Sequence, residues 1–494
     1  MASLEEIRNG RIEKMNLLEK EGINPYPARI KQTHTLLQLR THFEELENKE
    51  EEVSVVGRIM SVRGQGALVF VDLFDGTGKI QLLCKADQHI LYKDKNIDDA
   101  FSLFKEAIDI GDFIEVSGTV FVSKRGEETV LVKQWGMVAK SLRPIPDEWY
   151  GLKDEDERYR KRYLDILLNK DVQDRIKRRS VFWNTIRTFL LEKGYTEVET
   201  PVLENTPGGA DARPFITHHN ALDIDVYLRI SGGELWQKKL LVAGMPKVFE
   251  IGRIFRNEGM SHEHLQDYTQ LEFYEAFSDY TKGMDMVVEL YREIAQKTFG
   301  TTVFTINDQE VDLAKEWQTY DYVKIIEEKS GVNVLEADVS TLTKKLKELQ
   351  IDFDPKDINK ERATDLIWKK CRKELTGPGF LVNVPVFMEP LAKKSEEDSR
   401  VVERFQIILG GSEMGKGFSE LNDPRDQRER FEHQEALRAA GDDEAQMKDD
   451  EYVEAMEYGM PPAFGFGTSE RLFAVLEGVS VREGQIFPMM RPKE

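Results

Sequence analysis

Between residues 53 and 141 the chain carries five short runs rich in β-branched and aromatic residues: VSVVGRIMSVR, ALVFVDLFD, GKIQLLC, DFIEVSGTVFV and TVLVKQWGMVAKSL. Turn-forming sequences separate them, namely GQG, DGTGK, IGD and KRGEE. Glycine there supplies backbone conformations that other residues resist. A helical stretch around 97–108 falls between the third and fourth runs. Strands this short bury a face only by pairing in order around one core. Five of them with a helix after the third predict a small closed barrel.

That order is the one of an OB-fold. Such barrels bind single-stranded nucleic acid on a face that mixes stacking aromatics with basic side chains. Arg63, Phe70 and Gln81, with Arg58 beside them, are the candidate face residues. Upstream, residues 3–21 read as a helix. Ser3 and Glu6 form a capping-box pair, and Leu4, Ile7, Ile12, Met15 and Leu18 recur at roughly helical spacing. A surface helix packed on its own domain is the simpler reading, and an arm touching nucleic acid is the alternative.

A chain of 494 residues is too long for one core, so two to four domains are expected. Hydrophobic residues make up 40% and charged residues 32%, a globular balance. A formal net charge of -21 excludes a protein that is basic all over. It leaves room for local basic faces, for instance Arg158, Arg160, Lys161 and Arg162, or Lys177, Arg178 and Arg179. Two cysteines, Cys84 and Cys371, give neither a disulfide framework nor a zinc spacing, which suits a cytoplasmic location. The start, MASLEEIRNGRIEK, is charged, so a secretory leader is not expected. No run of about 18 apolar residues occurs, so no membrane helix is expected.

The domains expected are an N-terminal helical extension over 1–50, the barrel over 51–145, a charged Pro-containing linker over 146–170 and a larger domain over 171–494. The last mixes helices with antiparallel hairpin signals, and a mostly helical insertion is expected at about 316–375. The fold class expected is α+β. Neither GxGxxG nor GxxxxGK[ST] occurs, so no Rossmann or P-loop nucleotide site is indicated. The histidine pairs His218/His219 and His262/His264 lack the CxxC or HExxH company of a zinc site.

The densest chemical signal is KVFEIGRIFRNEGMSHEHLQDYTQLEFYEA, residues 247–276, which reads as strand, polar loop, strand. Arg256 and Glu258 are two apart and share a face, as do Gln270, Glu272 and Tyr274 on the return strand. Antiparallel pairing would gather an arginine, two carboxylates and a phenol on one surface, and arginine is the side chain best suited to grip a phosphate in two places.

FRNEG, a loop and YTQLEFYEA resemble motif two of class II aminoacyl-tRNA synthetases, and EKGYTEVETPVL resembles motif one, the dimer-interface element. GGADARPFITHHNALDIDVYLRISGGELWQKKL, GFSELNDPRDQ and RPIPDEWYGLKDEDERYRKRYLDIL are similar to lysyl-tRNA synthetases of the bacterial type. The resemblance spans about 50–494 and is weakest at 316–375. It implies activation of L-lysine with ATP to lysyl-adenylate, transfer to the 3' end of tRNA(Lys), a homodimer and Mg²⁺. Arg256 and Arg471 are then the catalytic arginines. Glu258, His264, Tyr268 and Glu413 join them in holding ATP, while Glu413 and Glu420 are the candidate metal ligands. Gly209, Glu234, Arg256, Glu272, Tyr274, Phe418 and Glu420 would bind lysine, and Arg63, Phe70 and Gln81 the anticodon. Residue chemistry agrees: an ammonium with a pKa near about 10.4 needs fixed carboxylates and acceptors.

Four positions depart from the family pattern. Glu263 stands where the motif-two loop usually has arginine. Gln406 replaces a second acid on the metal-binding strand, and Lys416 replaces an asparagine beside the amino-acid pocket. Pointing inward, Lys416 would repel a lysine ammonium, so phosphate or solvent is its expected direction. Motif three, FGFGTSER, is one residue short. Two rival readings stay open: an aspartyl- or asparaginyl-type synthetase, and a synthetase-derived nucleic-acid-binding or signalling protein that does not charge tRNA.

Overall fold

The computed structural model describes residues 3–88, 90–93, 95, 97–146, 154–259, 264–355, 358–442 and 445–493. His262, Glu263 and part of the expected linker lie outside the described residues. The chain divides into two compact units, Met1–Asp154 and Glu155–Glu494.

In the first unit the five runs are strands β1 (Glu52–Gln65), β2 (Leu68–Phe74), β3 (Lys79–Lys85), β4 (Phe113–Val122) and β5 (Glu128–Ala139). They pair in the order β3-β2-β1-β4-β5, all antiparallel. β5 then returns to β3 in parallel, Gln81 opposite Thr129, which closes the barrel and leaves no long edge open. Alternation sends Val69, Val71 and Leu73 inward and leaves Phe70, Asp72 and Phe74 half-buried on the outside. Helix α2 (Ala100–Ala107) lies between β3 and β4 in sequence, and the Trp135 indole donates to its Ala100 carbonyl at 3.0 Å.

Helix α1 (Leu4–Lys20) begins with the Ser3–Glu6 capping box, both hydrogen bonds formed. Its Arg11 is buried and donates to the carbonyls of Ile110, Ser141 and Arg143 at 2.9, 3.0 and 3.1 Å. Leu18, Ile23, Leu36 and Phe43 join the barrel's own core. A guanidinium is buried only where its donors are met, so α1 is packed on its own unit. The helical extension contributes residues from Leu18 to Leu46 to the barrel's core.

The second unit is α+β. Its eight-stranded sheet comprises β6 (Thr196–Glu197), β7 (Lys247–Phe255), β8 (Asp267–Ala276), β9 (Gln318–Asp321), β10 (Gly379–Val382), β11 (Arg404–Leu409), β12 (Ser412–Ser419) and β13 (Ala463–Ser469). The order is β9-β10-β11-β12-β13-β8-β7-β6, antiparallel except for the outermost pairing on each side. Helices α3 (Lys170–Glu192), α4 (Glu234–Val242) and α5 (Tyr280–Ile294) follow the first connector. α3 and α5 pack Phe182, Ile186, Leu290 and Ile294 against Phe249, Phe273, Phe405 and Phe466 of the sheet.

The 316–375 segment differs from its expectation at one end. It supplies three helices, Tyr322–Ser330, Val339–Glu348 and Lys360–Cys371, but begins as strand β9, parallel to β10. A four-residue strand carries too little alternation to stand out in a Lys/Glu-rich stretch. The basic runs offered as nucleic-acid faces are largely engaged within the unit. Arg158 and Arg162 hold Asp165 at 3.0 and 2.5 Å, Arg178 pairs with Glu477 and Arg179 with Glu470.

Candidate active site

Alternation along the central strands sorts side chains to two faces. Phe249, Phe273 and Phe466 are register neighbours across β7, β8 and β13 and enter the helix-covered core. One residue along, Glu272 meets Gly467 and Tyr274 meets Gly465. This second face is the wall of a cavity of about 420 Å³.

Most of the residues singled out above line that cavity. Arg256, Glu258, His264, Tyr268, Glu413 and Arg471 do so, and so do Gly209, Glu234, Glu272, Tyr274 and Phe418. One detail is corrected: β7 ends at Phe255, so Arg256 and Glu258 stand beyond the strand rather than on it. The ladder still continues, since the Arg256 amide donates to the Gln266 carbonyl at 2.7 Å. The Arg256 guanidinium donates from Nε to the Ile230 carbonyl at 3.3 Å and lies 5.7 Å from the Tyr268 ring centre. Arg471 opens helix α6 (Arg471–Glu477), directly after β13.

Gly465 owes its identity to close approach. It sits between Phe418 on β12 and Tyr274 on β8, and a Cβ there would meet Glu420 Oε1 at 2.1 Å and Tyr274 Cε1 at 2.4 Å. Gly209 adopts φ 84°, and a Cβ would strike Ser231 Oγ at 2.6 Å.

One end of the cavity is anionic. Glu272 accepts from the Gly232 amide and Gln270 Nε2, both at 2.7 Å, and from the Tyr274 hydroxyl at 3.2 Å. Glu420 was expected as a second metal ligand. Instead it is buried just beneath the lining, with Oε2 2.5 Å from Lys238 Nζ. Its Oε1 is buried with no hydrogen-bond partner among the described residues. Lys238, one helical turn from Glu234 on α4, also reaches Glu234 Oε1 at 2.6 Å. Sequence reasoning missed Lys238. The Glu234/Lys238 spacing marks a helical ion pair, but nothing local announces the second carboxylate. Burial, and then the neighbouring Glu234 charge, push the Glu272 carboxyl up to about 8. Burial raises Glu420 to about 8 as well, against the pull of Lys238.

Strands β11 and β12 bring a second set of charges to the cavity. Glu389 Oε1 lies 2.5 Å from Arg404 Nη1, and its Oε2 lies 3.3 Å from Lys416 Nζ. Gln406 accepts from Arg404. Glu413 accepts from the Trp368 indole at 2.7 Å. Neither Arg404 nor Glu389 was singled out from the sequence, because an isolated charge on a strand or in a loop reads as a surface residue.

In the first unit, Arg63, Phe70 and Gln81 come together on the outside of the barrel. Register places Arg63 opposite Phe70 and Gln81 opposite Asp72. Arg63 holds Asp72 with two bonds of 2.9 and 3.0 Å, and Gln81 donates to Glu127. Arg58 lies 4.3 Å above the Phe113 ring.

An antiparallel sheet whose cleft is lined by Arg256, Arg404 and Arg471, with a closed barrel in the other unit, is an arrangement that a class II aminoacyl-tRNA synthetase would have. Residues 154–491 match the family described as tRNA synthetases class II (D, K and N), and residues 53–145 match the OB-fold nucleic acid binding domain. Over 495 residues the chain is 42% identical to a lysine--tRNA ligase of Fervidobacterium nodosum, covering 99% of this chain and 95% of that one. It is 43% identical to the lysine--tRNA ligase of Thermosipho africanus (99% and 97%) and 41% identical to that of Bacillus subtilis (98% and 97%). The chain belongs to this lysine--tRNA ligase family of class II synthetases.

Proposed function

We propose that the chain activates L-lysine with ATP and transfers the lysyl group to the 3' end of tRNA(Lys). The observation that carries this reading is the pair of buried carboxylates Glu234 and Glu272 lining a cleft with Arg256, with Glu420 buried just beneath them. A cationic side chain fits that end, whereas aspartate or asparagine would call for donors there. Glu420 Oε1, without a hydrogen-bond partner among the described residues, and the Glu272–Tyr274 pair serve the side-chain ammonium. Glu234 and the Gly209 backbone serve the α-amino group. Arg256 holds the lysine carboxylate and the α-phosphate, Tyr268 stacks on adenine, Glu258 and His264 contact the nucleotide, and Arg471 takes the γ-phosphate.

The reaction needs no protein nucleophile. A lysine carboxylate oxygen attacks the α-phosphorus, the bond to the β-phosphate oxygen breaks, and pyrophosphate leaves. A ribose hydroxyl of the tRNA end then takes the lysyl group and AMP leaves. Arg256 and Arg471 act by position and charge, stabilising the phosphates as the attack proceeds. Among the described residues no three acidic, cysteine or histidine side chains cluster to hold a metal. Glu413 fits a hard cation held jointly by one carboxylate and substrate phosphate oxygens, but not a cage built by protein alone. Such an ion would add positive charge to the phosphates.

The decisive experiment is amino-acid-dependent ATP–pyrophosphate exchange with lysine, aspartate and asparagine, followed by charging of tRNA. Exchange with lysine alone is the expected result. Exchange with aspartate, or none with lysine, overturns the reading. A homodimer and a cytoplasmic location are part of the same proposal. No helix among the described residues is long and apolar enough to cross a membrane.

The buried acids give this reading a pH signature. Folded carboxyls near about 8, against 4.5 unperturbed, bind extra protons. Their stabilising contribution is complete below that lower value and is lost as pH rises through the higher one. A cationic ligand prefers the ionised carboxylates, so its binding strengthens over the same window. The rise in melting temperature produced by saturating lysine is therefore expected to grow from about pH 6 to about pH 8. A lysine-induced shift that stays flat across this range would count against the assignment.

On the barrel, Arg63, Phe70 and Gln81 form the anticodon face. Phe70→Ala is expected to weaken tRNA binding by about tenfold, since one base stack contributes about 1–3 kcal/mol. Pyrophosphate exchange, which involves no tRNA, should stay unchanged. Unaltered tRNA affinity would remove Phe70 from the face.

A further inference from the structure

Two of the positions that set this chain apart, Gln406 and Lys416, are direct register partners on β11 and β12. Across its other edge Lys416 faces Gly467 of β13, which carries no side chain. Both residues line the cavity. Lys416 shares a strand face with Phe418, its Nζ 5.8 Å from the Phe418 ring centre. Its side chain is 43% exposed, open to the cleft on one side and tethered to Glu389 on the other. Glu389 is already paired with Arg404, so this one buried carboxylate is shared between two cations, while Asp211 and Glu413 line the same cavity. Gln406, the cross-strand neighbour, is neutral and is itself turned toward Arg404.

Lys416 lines the same cleft as Glu234 and Glu272, and Lys238 Nζ approaches the same Phe418 ring at 5.2 Å. A lysine substrate would be repelled by Lys416, whereas a polyphosphate would be drawn to it. Lysine ammonium on a flexible stem is also a suitable point charge for phosphate oxygens.

We propose that Lys416 is a further nucleotide-binding residue: its ammonium leaves Glu389 to contact the triphosphate of ATP, a positive charge that lets the nucleotide bind with little divalent cation. The inference rests on the function proposed above. It assigns to the protein part of the charge neutralisation that phosphates otherwise take from metal ions.

ATP binding is measured by calorimetry on the full-length protein in EDTA and in excess Mg²⁺. Wild type, Lys416→Met, Lys416→Arg and Arg256→Ala are compared, with lysine binding measured separately. Wild type should bind metal-free ATP, and Lys416→Met should weaken this by about tenfold or more, the equivalent of one charge-assisted bond. Lys416→Arg should restore most of it, and lysine affinity in Lys416→Met should be unchanged or higher. Metal-free ATP affinity unaffected by Lys416→Met overturns the proposal. Parallel loss of ATP and lysine binding overturns it too, because the residue is then structural. Failure of the functional reading looks different: wild type and Arg256→Ala would bind ATP equally, or lysine would not bind at all.

Discussion

Arg256→Ala is expected to lower lysine-dependent pyrophosphate exchange by about 10²–10³-fold, the effect of removing one preorganised donor from a developing charge. Arg256 follows β7 directly, its amide still fixed to the Gln266 carbonyl, so its backbone cannot drift. Among the described residues its side chain donates one hydrogen bond, to the Ile230 carbonyl, and it lies near the Tyr268 ring and lines the cavity. Little of the fold depends on that side chain, so the melting temperature should change little. Lysine is not an adequate substitute, because an ammonium cannot reproduce a planar two-pronged grip. Arg256→Lys should therefore recover only a minor part of the rate. Steady-state exchange at varied lysine and ATP checks both. A loss below tenfold in Arg256→Ala would mean that charge on the α-phosphate is met elsewhere.

Lys238→Met is expected to destabilise the second unit by about 3–5 kcal/mol, the usual cost of removing one partner from a buried ion pair. Lys238 is 1% exposed and serves two carboxylates, Glu234 at 2.6 Å and Glu420 at 2.5 Å. Methionine matches its length but leaves both acids without a counter-charge. They can answer only by taking up protons, so the loss should grow as pH rises. Urea titrations at two pH values measure it. Lys238→Met combined with Glu420→Gln should regain part of the stability, because a neutral amide needs no counter-charge. A single substitution that leaves the urea midpoint unmoved would show that the Lys238 pairs contribute nothing to stability.

The same cluster shows where sequence reading stops. The five barrel runs, the helix between them and the Ser3–Glu6 cap were visible because each depends on neighbours a few residues away. The charged face of Gln270, Glu272 and Tyr274 was visible for the same reason, since alternation is a local rule. Strand β9 was missed because four residues carry too weak a pattern, and its role comes from pairing with β10, about sixty residues away. Glu420 was placed near a metal by analogy of motif, yet the fold buries it against Lys238.

By itself the sequence determined the element types, the barrel's strand order, the polarity of each strand face and the residue kinds gathered in each motif. All of these follow from spacing and side-chain chemistry. The tertiary structure alone decided which charges meet: Lys238 between Glu234 and Glu420, Glu389 between Arg404 and Lys416, and Gln406 opposite Lys416. The reason is the range of the forces. Propensity and alternation act over a few residues, whereas the strength of a charge pair depends on distance and burial, which exist only once distant strands are packed together.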